Sequence, residues 1–144
     1  TQLLGCFLVV YFQIVHIIRT VLNYYYYSLT QFILHLNSKI VTSKTYQEYH
    51  SDFEPLGLAG FFSTIVCADD TDEHKPQAAP LVAYLAKANV SPEDTLYIGD
   101  SIYDIQCADN AGVDSGLVLW SNNVSNPIRA DYYFNTPNDI SKIL

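Results

Sequence analysis

The feature that most constrains the fold is the alternation, from Lys39 to the end of the chain, of short β-prone runs with helical stretches. The candidate strands are KIVTS, TIVCA, TLYIG, GLVLW and DYYFN, and each is bounded by polar or turn residues. The candidate helices are TYQEYHSDFEPLG, PQAAPLVAYLAKANV, IYDIQCADNAG and PNDISKIL. Strands separated by helices of this length predict right-handed crossovers, hence a parallel sheet with helices on both faces. The predicted fold class is therefore α/β, in three αβα layers.

The N-terminal segment has a different pattern. Residues 1–22 are strongly apolar, but Gln13, His16 and Arg19 interrupt them. A membrane helix needs about 20 predominantly apolar residues, so the pattern favours a buried or cap-type helix and leaves a membrane span as the alternative. Ser28 then precedes an amphipathic helical pattern, LTQFILHLNSK. We expect residues 1–35 to be an apolar helical segment, a possible cap remnant, and residues 36–144 to be the core domain.

Composition narrows the functional classes. The 144 residues, 49% of them hydrophobic, are enough to bury the core of one domain. A net charge of −8 disfavours a nucleic-acid partner. The three cysteines stand at wide spacing without a CxxC pair, so they predict buried thiols and a reducing, cytoplasmic location. The chain begins with Thr1 and contains no methionine, which favours a fragment; no pattern indicates an oligomeric state.

Open α/β sheets bind ligands at the carboxyl ends of their strands, and the most informative strand end is Gly99-Asp100-Ser101-Ile102-Tyr103-Asp104. Two carboxylates four residues apart at the start of a helix would share one helix face, so Asp100 and Asp104 can point at one small volume. Magnesium prefers such hard oxygen ligands. The alternative is a helix-capping aspartate with a solvated acid.

Two further positions could meet a phosphate group. Thr42 and Ser43 follow the candidate strand KIVTS and could hydrogen-bond a phosphate oxygen, although a simple helix N-cap explains them as well. Lys75 lies between an acidic stretch and a helix, where it could offset the charge of a phosphoryl group. The alternative for Lys75 is a surface lysine that balances the acidic loop.

The order of hydroxyl, lysine and acidic pair resembles the second, third and fourth motifs of the haloacid dehalogenase-like hydrolases, in particular their phosphoglycolate phosphatase-like branch. The resemblance runs from about Leu36 to Leu144 and rests on VTSK, HKP and GDSIYD. It implies a Rossmann-like core and magnesium-dependent hydrolysis of a small phosphorylated metabolite. It further implies that Thr42, Ser43 and Lys75 bind the phosphate, that Lys75 and Asp104 are catalytic, and that Asp100 and Asp104 bind Mg²⁺.

The chain departs from the family at the first motif, an aspartate nucleophile followed two residues later by a second aspartate. No aspartate occurs before Asp52. Residues 5–12, GCFLVVYF, could fill the slot of the first strand but bring no carboxylate. Three hypotheses follow: a fragment of a phosphatase for small phosphomonoesters, a non-catalytic protein that keeps the fold and binds a phosphorylated ligand or a partner, and a membrane-tethered domain.

Overall fold

The computed structural model describes residues 7–10, 39–57, 59–120, 127–140 and 142–143. These residues form strands β1 to β6 and helices α1 to α4, with short 3₁₀ turns between them. The strands are β1 (Phe7–Val10), β2 (Ile40–Val41), β3 (Ile65–Val66), β4 (Thr95–Gly99), β5 (Asp114–Val118) and β6 (Tyr132–Phe134). The helices are α1 (Tyr46–Asp52), α2 (Ala79–Ala88), α3 (Ile102–Ala111) and α4 (Pro137–Ile140).

All strand pairs among the described residues are parallel. One sheet has the order β1-β4-β5-β6, and β2 pairs with β3 in a second, two-stranded sheet. β1 pairs with β4 in a register that sets Phe7 opposite Thr95 and Val10 opposite Ile98, and its other side lies near β2. The parallel sheets with helical connections confirm the predicted α/β class.

β4 runs through the centre of the core, and every residue of TLYIG is buried. Side chains alternate across a strand. Tyr97 accordingly packs with residues of β2, β3, α2 and α3, whereas Leu96 and Ile98 pack with Val118 and Phe134 toward α4. A strand covered on both faces explains why TLYIG is almost continuously apolar.

The helix ends follow from local chemistry. Thr45 and Glu48 form a capping box at the start of α1, and α3 ends at Gly112 with φ 70°, a conformation that glycine adopts without a Cβ penalty. The candidate helix PQAAPLVAYLAKANV was predicted to begin at Pro76, and this start is wrong because α2 begins only at Ala79. Pro76 instead follows a cis peptide bond in the turn before that helix.

The N-terminal segment contains a strand. Phe7–Val10 form β1, so the helical prediction is wrong for these four residues, and the alternative of a strand in the first-motif slot is what the structure shows. The β-strand is compatible with the sequence because FLVV is a short apolar run rich in β-branched residues. The amphipathic pattern at 29–38 and most of residues 1–22 lie outside the described residues, and the division near residue 35 stays a prediction. Within the described part of the chain, no helix is long and apolar enough to cross a membrane.

Candidate functional site

The predicted site residues follow strands that end at one edge of the structure. Thr42 comes directly after β2, and Asp100 comes directly after β4. The two carboxyl ends meet at the same edge, because Lys75 contacts both the Val41 oxygen at the end of β2 and Asp104 just beyond β4. Thr42 is 6% exposed and Asp100 is 5% exposed, so neither is a freely solvated surface residue.

Lys75 and Asp104, 29 residues apart in the chain, form a buried ion pair at this edge. Lys75 Nζ lies 3.0 Å from Asp104 Oδ1, and the side chains are 4% and 1% exposed. The same ammonium donates to the backbone oxygen of Val41 at 3.2 Å. The lysine therefore joins the last residue of β2 to the first turn of α3, and its interpretation as an ordinary surface lysine is wrong.

Asp104 is held by the start of its own helix. Ser101 is the N-cap of α3, and its backbone N–H and hydroxyl donate to Asp104 Oδ2 at 3.2 and 2.7 Å. In return Asp104 N–H donates to Ser101 Oγ at 3.3 Å, which completes a capping box. Both carboxylate oxygens of Asp104 thus accept hydrogen bonds from protein donors.

This capping changes the geometry expected for the acidic pair. Because α3 begins at Ile102, Asp100 lies before the helix and Asp104 lies within its first turn. The spacing had predicted that the two carboxylates share a helix face, and this prediction is wrong. Both carboxylates nevertheless lie near the Lys75 ammonium, since Asp104 and Asp100 each favour its charged form.

The turn that carries Lys75 is attached to α3. Asn110 donates from Nδ2 to the backbone oxygen of Pro76 at 2.9 Å, and the Cys107 thiol donates to the backbone oxygen of Gln77 at 3.0 Å. Helix α3 thus supplies the carboxylate partner of Lys75 and also fixes the backbone from which Lys75 extends. The position of the ammonium depends on one rigid element.

Burial opposes the charge of Lys75. Removal from water lowers the pKa of its ammonium, and the adjacent Asp104 and the nearby Asp100 act in the opposite direction. A lysine in such a place is stabilised as a cation by anions that come close to it, and a phosphate group would be a further anion of this kind.

Thr42 and Ser43 differ in their surroundings. Thr42 N–H donates to the backbone oxygen of Val66 at 2.9 Å, and its hydroxyl accepts from the Lys44 N–H at 3.1 Å. That hydroxyl contact is a local turn and not the helix N-cap offered as the alternative, because the N-cap of α1 is Thr45. Ser43 is exposed beside it, and phosphate binding by either residue stays a prediction.

The donor set available for a magnesium ion is small. Among the described residues, no group of three or more His, Cys, Asp or Glu side chains is placed to hold a metal ion. The oxygens of Asp104 face Lys75, Tyr97 and Ser101, and no aspartate or glutamate precedes Glu48 in the sequence. Magnesium is bound through one or two carboxylates together with water and substrate oxygens, and because the oxygens of Asp104 already accept from protein donors, its binding by Asp100 and Asp104 stays a prediction.

Two residues of the site escaped the sequence analysis. Tyr97 lies inside an apolar strand, where its hydroxyl gave no signal of a polar contact, and Ser101 was considered only as part of the motif around Asp100. The signal for Ser101 is in the sequence, because a serine followed three residues later by an acid at a helix start is typical of a capping box.

The family profile of haloacid dehalogenase-like hydrolases matches residues 32–118, which is more than half of the chain. The chain belongs to the haloacid dehalogenase-like hydrolases. This membership confirms the resemblance seen in VTSK, HKP and GDSIYD, and it explains why lysine, acid and strand ends converge.

Three relatives of this hydrolase-family chain have names that indicate a branch. Pyrophosphatase PpaX of Oceanobacillus iheyensis is 33% identical over 108 residues, which are 73% of this chain and 50% of that protein. Phosphoglycolate phosphatase of Aquifex aeolicus is 30% identical over 105 residues, 73% of this chain and 49% of that protein. The crystal structure of a candidate phosphoglycolate phosphatase from Lactobacillus plantarum has a TM-score of 0.73 at 33% identity and covers 83% of this chain and 60% of that one. The chain spans about half the length of the curated relatives it matches.

Proposed function

We propose that this chain is the C-terminal part of a phosphatase core for small phosphomonoesters, and that by itself it binds a phosphate group without hydrolysing the ester. Lys75 supplies the cation, Thr42 supplies a hydroxyl donor, and Ser43 supplies hydroxyl and backbone donors. Asp104 holds the lysine in place. Asp100 is the predicted metal ligand. Mg²⁺ stays the cofactor that family resemblance implies, and no step of the proposal depends on it.

One observation carries the proposal: the buried ion pair of Lys75 and Asp104 at the carboxyl ends of parallel strands. An ion pair removed from water contributes little to stability by itself and is often replaceable by apolar residues. Its position beside Val41 and Thr42, at the edge where this class of fold binds ligands, gives it a functional explanation. Perturbed buried cations of this kind occur often at functional sites.

The sequence has no candidate for the family's aspartate nucleophile ahead of the second motif. The family mechanism resembles covalent catalysis by a carboxylate, but residues 1–47 contain no aspartate or glutamate. β1 occupies the place between β4 and β2, and the residues that follow it in the sequence, Tyr11, Phe12 and Gln13, bring no carboxylate. Binding without turnover is therefore the expected behaviour of this chain.

The substrate class comes from the named relatives. Both curated relatives are named for phosphate-releasing activity, on pyrophosphate or on phosphoglycolate. Lys75 and Thr42 would contact only the phosphate group common to such ligands, so we propose the small phosphorylated metabolite as a class. A cytoplasmic location is part of the proposal and is supported by Cys67 and Cys107, which are free, buried thiols as is usual in a reducing compartment.

The proposal can be tested by calorimetric titration of inorganic phosphate into the chain in EDTA, together with an aryl phosphate hydrolysis assay in magnesium. We expect saturable phosphate binding and no hydrolysis above the buffer rate. Lys75→Met should abolish binding, whereas Lys87→Met should leave it intact, because Lys87 is an exposed lysine on α2 that donates to the backbone oxygen of Ile65 in β3. Thr42→Val serves as a second variant if Lys75→Met does not fold.

Two results would overturn the proposal. Failure of the folded wild-type chain to bind phosphate would remove the binding function. Hydrolysis by the wild-type chain that is lost in Asp100→Asn would show that the chain is an active enzyme with a nucleophile other than the family's.

A further inference from the structure

Tyr97 places a polar group at the point where the three sequence motifs meet. It lies in β4, is 0% exposed, and belongs to the core cluster formed with α2 and α3. Its hydroxyl is 3.3 Å from the backbone oxygen of Val41 and 3.3 Å from Asp104 Oδ1. A leucine or phenylalanine would satisfy the apolar surroundings, so the hydroxyl requires a separate explanation.

The hydroxyl and the lysine share their acceptors. Lys75 Nζ donates to the Val41 oxygen at 3.2 Å and to Asp104 Oδ1 at 3.0 Å, which are the same two atoms that face Tyr97. The ammonium donates to both oxygens, and the single O–H proton of Tyr97 is shared between the same two oxygens. The Tyr97 ring also lies under the ammonium, with Nζ 5.2 Å from the ring centroid, a distance typical of a cation–π contact.

This arrangement fixes the peptide that precedes Thr42. The Val41 oxygen faces Tyr97 and Lys75, while the Thr42 N–H on the other side of the same peptide donates to Val66 at 2.9 Å. A planar peptide held at both of its polar atoms cannot rotate without breaking one of these contacts. Tyr97 therefore acts together with Asp104, Val41 and Val66 in holding the ammonium and the peptide before Thr42.

We propose that Tyr97 is a positioning residue, whose hydroxyl and ring hold Lys75, Asp104 and the Val41–Thr42 peptide in the geometry that receives a phosphate group. The inference rests on the proposed phosphate-binding function. It assigns Tyr97 no contact with the phosphate; the residue acts through the lysine and the peptide. A buried hydroxyl in this cluster is stabilised because its hydrogen bonds replace those lost to water.

The test is Tyr97→Phe, which keeps the ring and removes the hydroxyl, compared with Tyr97→Leu, which removes both. We expect inorganic phosphate to bind about tenfold more weakly to Tyr97→Phe, equivalent to roughly 1.4 kcal/mol, and still more weakly to Tyr97→Leu. A second readout is the ¹H–¹⁵N signal of the Lys75 ammonium, which should shift on addition of phosphate in the wild type and shift less in Tyr97→Phe. A residue with a purely structural role would lower the melting temperature without changing this response in the folded protein.

The matched control is Tyr49→Phe. Tyr49 is buried, and its hydroxyl has no hydrogen-bond partner among the residues that the structure describes. Its side chain packs with Ile40, Phe53 and Cys67. We expect its removal to leave phosphate affinity unchanged. If the wild type binds phosphate and Tyr97→Phe binds it equally well, the positioning role is wrong and the proposed function stands. If the wild type does not bind phosphate, the proposed function itself is wrong.

Discussion

At the scale of single residues, Asp104 carries most of the site geometry. One oxygen faces Lys75 and Tyr97, and the other accepts from Ser101. The carboxylate also lies against the backbone of Gly99, where the chain leaves β4. Loss of any of these donors should destabilise the protein, because a buried carboxylate without its partners is strongly unfavourable.

Gly99→Ala tests the close approach of β4 to that carboxylate. A Cβ on residue 99 would lie 2.6 Å from Asp104 Cγ and 2.7 Å from its Oδ2, closer than side chains pack. We expect a loss of about 1–3 kcal/mol in the free energy of unfolding from overpacking, and weaker phosphate binding because Asp104 must move. Urea unfolding and phosphate titration measure the two effects.

Gly60→Ala provides the control for this substitution, since a Cβ there would meet nothing within 4 Å. It should change stability by no more than about 0.5 kcal/mol, as is usual for surface positions. Equal stability of the Gly99 and Gly60 variants would show that the contact between β4 and Asp104 is not tight.

At the scale of elements, α3 organises the site. It begins with the capping box of Ser101 and Asp104, and two later side chains, Cys107 and Asn110, hold the turn that carries Lys75. Because an α-helix is rigid over its length, the carboxylate and the lysine turn are kept in a constant relation. The capping residue of α3 is therefore part of the site as well as part of the helix.

A comparison of two N-caps separates these roles. Ser101→Ala and Thr45→Ala each remove a capping side chain and should each destabilise the protein by about 1 kcal/mol. Only Ser101→Ala removes a hydrogen bond from Asp104, so only this variant should bind phosphate more weakly. Melting curves compare the stabilities of the two variants, and phosphate titrations compare their affinities. Equal phosphate affinities in the two variants would contradict the assigned role of Ser101.

At the scale of the whole molecule, β1 joins the two parallel arrays. It pairs with β4 and lies near β2. Because β4 also pairs with β5, it has a paired strand on both sides. Among the described strands, β6 pairs only with β5. The site lies at the carboxyl ends of β2 and β4, which β1 joins.

Native-state hydrogen exchange should follow this order. We expect the backbone amides of β4 to exchange slowest, with protection close to that of global unfolding, because β4 is buried and paired on both sides. The amides of β6 should exchange faster, since that strand is paired with β5 only within the described residues. Faster exchange in β4 than in β6 would show that β1 does not pair with β4 in solution.

The amino-acid sequence was sufficient to predict the α/β class, and it also supplied Lys75, Asp100 and Asp104 as candidate site residues, whose roles stay predictions. Strand and helix periodicities depend on nearest neighbours, and turn and capping residues act over three or four positions, so β4, α3 and the motif around Asp100 could be predicted from local patterns. Family resemblance added Lys75 and Asp104 as a functional pair. The alternation of TLYIG with helical segments was sufficient for a parallel sheet.

Which of these residues are in contact could be learned only from the folded chain. The contact of Lys75 with Asp104 joins positions 29 residues apart, and the contact of Tyr97 with the Val41 oxygen joins positions 56 apart. The strand at Phe7–Val10 likewise depends on pairing with β4, a partner far along the chain. Such contacts depend on how strands are ordered and how helices pack, which no local pattern encodes, and for that reason Tyr97 looked in the sequence like one more apolar core residue.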